Sequence, residues 1–153
     1  MAAAKQIPTI KTEQADNYRE SIIALLTAEK LPTADLPETL ETFLVTKQDE
    51  EVTGVVGLEI YGDFALLRSL AVDKGYRNLG LANTLLTEIE GLAASKNLKA
   101  IYLLTETAPD YFSRKGYDKI TRADVPAEVQ QSTEFSHVCP QSAIVMRKFI
   151  GNV

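Results

Sequence analysis

Apolar residues recur along this chain in two rhythms. From Asn17 to about Glu29, the positions Tyr18, Ile22, Ile23, Leu25 and Leu26 return with helical spacing, and Asp16 is placed to cap that helix. The same spacing returns at Ala82, Leu85, Leu86, Ile89, Leu92 and Ala93, with Asn97 suited to the residue that ends a helix. Pro109 suits the first turn of a short helix that runs to Lys115 and stops at Gly116, and Asp124-Val125-Pro126 reads as a cap followed by proline at another helix start. Strand-like runs lie between these: Ile7 to Lys11, Phe43 to Lys47, Val52 to Tyr61, Phe64 to Val72, Ala100 to Leu104, Tyr117 to Ile120 and Ala143 to Phe149. Gly62-Asp63 makes a tight hairpin turn, and Leu31 to Leu40, with Pro32 and Pro37, reads as a loop. Phe64 to Val72 is apolar on both parities, which requires cover on both faces. Hairpin strands come first and a β-helix-β-helix-β run follows, which predicts an α/β fold with a mixed sheet and helices on both faces.

The chain has 153 residues, with no internal repeat, low-complexity tract or linker, and is expected to form one domain over residues 1–153. Asp and Glu outnumber Lys and Arg by 21 to 16, a net charge of −5, which argues against nucleic acid as a partner. An anionic partner would have to be held locally, by oriented amides and a few cations. Cys139 is the single cysteine, so there is no internal disulfide and no multi-thiolate metal site, and a reducing compartment suits it. His137 is the single histidine, and with Cys139 it offers fewer soft ligands than a metal site wants; a packed tail loop is the expectation for both, and no metal is expected. The N-terminus lacks the apolar core of a signal peptide and no apolar run is long enough to span a bilayer. A cytoplasmic protein without a membrane partner, monomeric or homodimeric, is expected.

The most informative stretch runs from Leu70, Ala71 and Val72 through Asp73-Lys74-Gly75-Tyr76 to Arg77-Asn78-Leu79-Gly80-Leu81-Ala82. An apolar strand ends, a polar turn follows, and Arg-x-x-Gly-x-Ala opens directly into the second helix. Such a helix start leaves several backbone N–H groups without partners, all pointing one way, with the helix dipole behind them. That arrangement suits an anionic group, most often a phosphate. Gly80 allows close approach to the backbone, Ala82 is the next smallest choice, and Arg77 adds a permanent charge.

These residues resemble the acyl-CoA-binding motif of the GNAT superfamily of N-acetyltransferases. A second segment, Ala108-Pro109-Asp110-Tyr111-Phe112-Ser113-Arg114-Lys115-Gly116-Tyr117, is similar to the unit that closes the core of many members. The resemblance implies the GNAT fold, with a mostly antiparallel central sheet. It also implies acetyl-CoA as cosubstrate, with its pyrophosphate at the turn and helix start. Leu70, Ala71, Val72, Arg77, Asn78, Leu79, Gly80, Leu81, Ala82, Thr105 and Phe112 are then coenzyme-binding positions. The implied reaction is transfer of the acetyl group to the amine of a small acceptor, amino acids included, by direct attack. A backbone N–H at the end of the Leu70–Val72 strand would polarise the carbonyl. Three positions depart from the family pattern. Phe112 stands where a tyrosine often protonates the leaving thiolate, Leu66 where a glutamate often acts as base, and Thr105 in place of an asparagine. The catalytic acid and base are therefore unassigned. A narrower resemblance rests on Leu67-Arg68-Ser69-Leu70-Ala71-Val72, Leu103-Leu104-Thr105, Tyr111-Phe112 and the tail from Glu134-Phe135 through Cys139-Pro140-Gln141-Ser142-Ala143 to Met146. It points to the arsenic-resistance N-acetyltransferase-like proteins, themselves similar to N-acetylglutamate synthase domains. The missing proton-handling groups also fit another class, a non-catalytic acyl-CoA-binding regulatory module.

Arg68 is the polar residue that stands out, because Leu66, Leu70 and Val72 on the same parity are apolar. A guanidinium in such a strand is costly unless paired. Two readings stay open: Arg68 binds an acceptor carboxylate through two parallel hydrogen bonds, or it forms an internal salt bridge, for example to Glu59. Glu106, at the end of a strand, is a further base candidate, against a plain solvated charge on a loop.

Overall fold

The computed structural model describes residues 11–77, 79–132, 135 and 143–151. Seven strands lie in the order β1-β2-β3-β4-β5-β7-β6: β1 (Lys11–Gln14), β2 (Phe43–Gln48), β3 (Glu51–Tyr61), β4 (Phe64–Val72), β5 (Ala100–Thr105), β6 (Asp118–Ile120) and β7 (Ile144–Phe149). The helices are α1 (Arg19–Ala28), α2 (Leu81–Ser95), α3 (Pro109–Arg114) and α4 (Ala127–Gln130). β4 and β5 run parallel, while the β1–β2, β2–β3, β5–β7 and β6–β7 pairs are antiparallel. This is an α/β fold with a mostly antiparallel sheet. By contacts the chain divides into two compact units, residues 1–57 with 69–89, and residues 58–68 with 90–153.

In the first unit, Ile22, Leu25 and Leu26 of α1 are buried with Leu40, Phe43, Val45, Val52, Val55 and Ala71. Ile23, expected on the same stripe, is instead 37% exposed. The chain enters α1 through a 3-10 turn, Asp16–Tyr18, and Asp16 does not cap it. Its carboxylate accepts the backbone N–H of Leu40 and the side-chain amide of Gln14, so it pins the loop before β2 rather than the helix. Arg19 reinforces the pin by donating to the carbonyls of Pro37 (2.6 Å), Glu38 and Leu36. Lys30, at φ 60°, takes the left-handed position after α1, and the Leu31 N–H closes back onto the Leu26 carbonyl at 2.9 Å. β1 begins at Lys11; Ile7 to Ile10 of the expected first strand lie outside the described residues.

In the second unit, Leu66, Ala100, Tyr102, Val125, Val129, Phe135 and Val145 form the core, flanked by Tyr61, Phe64, Leu104 and Ile120. α2 ends as its sequence suggests: Asn97 sits at φ 60° and the Leu98 N–H reaches the Ala93 carbonyl at 3.2 Å. α3 begins at Pro109 and ends the same way, with Gly116 at φ 94° and the Tyr117 N–H on the Phe112 carbonyl at 3.0 Å. Asp124 does not cap the helix after it. The N–H and hydroxyl of Thr121 donate to its carboxylate at 3.1 and 3.0 Å, closing the 3-10 turn Arg122–Asp124, while Pro126 precedes α4 with no side-chain cap. These two backbone hydrogen-bond needs, at Leu40 and Thr121, outcompete the helix starts that the sequence pattern suggested.

Candidate functional site

The first unit carries the turn that the sequence singled out. β4 is not a regular strand throughout: Ser69 lies at φ 61°, a left-handed conformation that costs a non-glycine residue about 1–2 kcal/mol. It sits immediately before Leu70, Ala71 and Val72, so the backbone groups of those three follow a break in the pleat. Ala71 is buried, while Leu70 and Val72 keep partial exposure. The Asp73 N–H then bonds to the Thr53 carbonyl at 2.9 Å, and the Asp73 carboxylate accepts the Gly75 N–H at 2.9 Å. These bonds fix a 3-10 turn, Lys74–Tyr76, and Arg77 leaves it extended. Leu79 is 39% exposed.

Gly80 lies at φ 78°, and a Cβ built on it meets nothing within 4 Å. The space before the first turn of α2 is therefore open, and the backbone there is accessible to a ligand. From Gly80 the chain enters α2, with the Thr84 N–H and hydroxyl both on the Gly80 carbonyl at 3.0 and 3.1 Å. Leu81, not Ala82, takes the buried position at the start of the helix; Ala82 is half-buried, as is Leu92 farther along. A fifteen-residue helix with an open, glycine-led start presents oriented N–H groups and the positive end of its dipole, which fits a phosphate-bearing ligand.

Arg77 is 51% exposed along its side chain, and its guanidinium donates to Glu29 at the end of α1. Asn78 lies outside the described residues. The turn thus offers one exposed guanidinium beside a run of backbone amides, in a chain whose net charge is −5.

The second unit holds the remaining candidates. Thr105 is buried at the end of β5, and its hydroxyl oxygen accepts the Ala108 N–H at 3.0 Å, shaping the approach to α3. Phe112 is buried edge-on between two phenols, with ring centroids 5.2 Å from Tyr111 and 5.7 Å from Tyr117. Burial first, and then the charge of Glu90, push the Tyr111 hydroxyl above its ordinary pKa. Burial and the Glu90 carboxylate push Tyr117 up far more strongly, and its hydroxyl donates to Glu90 at 2.9 Å. Lys148 donates both to Glu90, at 3.0 Å, and to the Lys115 carbonyl, at 3.0 Å, so the end of α3 is tied to β7 and α2. Nothing in the sequence announced this tie, because its members are 27 and 58 residues apart. Glu106 is exposed just past β5.

Arg68 is fully buried, and its Nη1 donates to Glu59 Oε2 at 2.6 Å. Of the two readings left open by the sequence, the ion pair to Glu59 is the arrangement present. Tyr61 donates to the other oxygen of Glu59 and is itself in hydrogen-bond contact with Ser132. Burial first, then Glu59, push the Tyr61 hydroxyl well above its ordinary pKa, so it stays a donor at neutral pH. Glu59 is the partner the sequence offered for an internal ion pair, whereas Tyr61 and Ser132 are members of this group that the sequence did not single out. His137 and Cys139 lie outside the described residues, and among the described residues no group of three or more His, Cys, Asp or Glu is placed to hold a metal ion. Among the described residues no helix is long and apolar enough to cross a membrane.

The chain is 27% identical over 93 residues to an uncharacterized N-acetyltransferase from Chlorobaculum tepidum, a match that takes in 60% of this chain and 59% of that relative. An acetyltransferase of the GNAT family from Staphylococcus aureus superposes with a TM-score of 0.74 at 22% identity, covering 93% of this chain and 99% of the other. N-acetylglutamate synthase from Neisseria gonorrhoeae, in complex with coenzyme A and N-acetyl-glutamate, superposes with a TM-score of 0.78 at 14% identity, over 97% of this chain and 37% of that one. The description "Acetyltransferase (GNAT) family" matches residues 8–120, a span that includes the β4 strand, the Arg77–Ala82 turn and the α3 segment, and the chain belongs to that family.

Proposed function

We propose that the chain is an acetyl-CoA-dependent N-acetyltransferase of a small amine, working as one domain over residues 1–153. The open start of α2 at Gly80, reached from a locally broken β4, carries this reading. The amides of Leu79, Gly80, Leu81 and Ala82 would hold the pyrophosphate, with Arg77 and Asn78 beside them. Arg77 spends one of its five N–H donors on Glu29 and is half exposed, which leaves donors for a phosphate. The backbone of Leu70, Ala71 and Val72, freed from the regular pleat by Ser69, would hold the amide-rich arm and polarise the acetyl carbonyl. When bound, acetyl-CoA supplies the acetyl group as an activated thioester. By the family resemblance Thr105 and Phe112 of the second unit are also coenzyme-binding positions, Thr105 with a hydroxyl to offer and Phe112 with an apolar ring.

Phe112 has no proton to give, and the Tyr111 and Tyr117 hydroxyls are both held protonated by burial and by Glu90. As the amine attacks the carbonyl the C–S bond breaks, and the proton that the nitrogen loses passes through water to the departing sulfur; the thiol is acidic enough for its thiolate to leave unprotonated, so this site needs no side-chain acid. Positioning of amine and carbonyl supplies much of the acceleration. An amino-acid amine is the acceptor class supported by the likeness to N-acetylglutamate synthase and by the arsenic-resistance-like segments Leu67–Val72 and Leu103–Thr105. In this reading Arg68 serves the acceptor through Glu59, and the protein works in the cytoplasm without metal, nucleic acid or membrane.

Release of free thiol from acetyl-CoA, followed across a panel of amines and amino acids, tests the proposal. Amine-dependent release supports it. Tight coenzyme binding with no amine-dependent release would favour a non-catalytic acyl-CoA-binding module.

A further inference from the structure

Glu29 and Arg77 are 48 residues apart in the chain and meet within the first unit, where Arg77 Nη2 donates to Glu29 Oε1. The place is a poor one for a carboxylate. Glu29 closes α1, with its backbone N–H on the Leu25 carbonyl at 3.0 Å, and so sits at the negative end of the helix dipole. The last turn of α1 holds no basic residue, and Lys30, next in the chain, is exposed. Only 15% of the Glu29 side chain is accessible, so water does little to relieve it. Nothing local to α1 favours a carboxylate here, whereas the bond to Arg77 does. The pair is also asymmetric, because Arg77 keeps 51% of its side chain exposed. The guanidinium is held at one end by a largely buried acceptor and presents the rest of a rigid, planar fork of donors to the outside. Arg77 has extended backbone, φ −69° and ψ 156°, and stands three residues before Gly80. Without Glu29, a half-exposed arginine at that point would keep the rotamer freedom of one of the longest side chains.

We propose that Glu29 is a positioning residue for the coenzyme: it fixes Arg77 in the pose from which the remaining guanidinium donors meet the pyrophosphate. The arginine is then ordered when the protein folds, and less freedom is lost when the ligand arrives. One guanidinium can bridge two anions through different N–H groups, so Arg77 keeps its bond to Glu29 while it binds phosphate. Glu29 touches neither the acetyl group nor the amine and acts only through Arg77. The inference rests on the coenzyme site read at Gly80 and deepens it: phosphate recognition at the start of α2 depends on a residue of the α1 terminus.

The test is a double-mutant cycle on acetyl-CoA affinity, measured by calorimetry for the native protein, Glu29→Ala, Arg77→Ala and the double variant. Glu29→Ala should weaken binding about three- to tenfold, the effect of ordering one long side chain on binding. Glu29→Gln, whose amide oxygen still accepts from Arg77, should stay within about twofold of native. Arg77→Ala should weaken binding more, and adding Glu29→Ala to it should weaken it no further. Tighter binding in Glu29→Ala or Glu29→Gln overturns the assignment, because Glu29 would then compete with the phosphates for Arg77. An equal loss from Glu29→Ala with and without Arg77 also overturns it, since Glu29 would then act through general packing and not through the arginine. If Glu29→Ala does not fold, Glu29→Asp decides: it keeps the charge but withdraws it by one methylene, so a loss of threefold or more supports the proposal and unchanged affinity overturns it. Failure of the native protein to bind acetyl-CoA at all would instead remove the coenzyme site on which the proposal rests.

Discussion

The Gly80 turn and the Arg68 group are built from opposite materials. The turn is backbone: the groups proposed to meet the coenzyme are amides of consecutive residues, led by a glycine with open space beside it. The Arg68 group is side chains, drawn from β3, β4 and the segment after α4, with its cation buried completely. A site made of backbone is written contiguously, so Arg77-x-x-Gly80-x-Ala82 can be read without knowing the fold. A site made of side chains depends on which strand lies beside which. Arg68 is conspicuous in the sequence and Glu59 is a partner the sequence offers, but the choice between that ion pair and an acceptor carboxylate is decided only by the pairing.

The largest expected effect falls on the turn. Gly80→Trp should fill the space before α2 and lower acetyl-CoA affinity at least a hundredfold, about 2.7 kcal/mol, in a protein whose circular-dichroism spectrum is near native. Next comes the buried pair. Arg68→Ala leaves Glu59 without its cation, and should cost about 2 kcal/mol in denaturant unfolding, below the ~3–5 kcal/mol of a fully buried pair because Glu59 retains some solvent. Coenzyme affinity should stay within twofold in that variant. If Arg68→Ala unfolds no more easily than the native protein, the pair is not the stabilising element described.

Ser69 separates the two kinds of site more finely. Its φ of 61° is tolerable for serine and poor for a β-branched residue. Ser69→Val should cost about 1–2 kcal/mol and weaken acetyl-CoA binding, whereas Ser69→Gly should be nearly neutral in both. Equal behaviour of the two variants would show that the break in β4 is not set by this residue.

The smallest effect is far from either site. Hydrogen bonds from the backbone and then the side chain of Thr121 hold the Asp124 carboxyl below the 3.8 of an unperturbed group. Because the folded value is the lower one, this bond adds stability above the unfolded pKa and loses it as pH falls through the folded value. A carbon-detected titration should place Asp124 below the other exposed aspartates, and Thr121→Val should return it toward the ordinary value. No change on that substitution would remove the Thr121 assignment.

The same distinction accounts for what the sequence did and did not disclose. Asn97, Pro109 and Gly116 end or begin helices where their own backbone preferences put them. Asp16 and Asp124 look like caps, but each carboxylate meets a nearer demand, the Leu40 N–H in one case and Thr121 in the other. Lys30 and Ser69 occupy left-handed positions that glycine or asparagine usually signals, so neither turn was visible. Ala82 and Leu81 exchange places because a helix start is fixed only to within a residue by periodicity. The Tyr117–Glu90–Lys148 tie and the contact of Ser132 with Tyr61 join residues far apart in the chain, and no local pattern encodes them, whereas Glu59 lies on the hairpin partner of the Arg68 strand and was legible as its ion-pair partner.

Amide hydrogen exchange on the native protein, with and without acetyl-CoA, tests the central claim most directly. The account predicts that saturating acetyl-CoA slows exchange at Leu79, Gly80, Leu81 and Ala82, the amides at the glycine-led start of α2. Saturation with no added protection at these four amides would contradict it, because the coenzyme would then be held somewhere other than at this helix start.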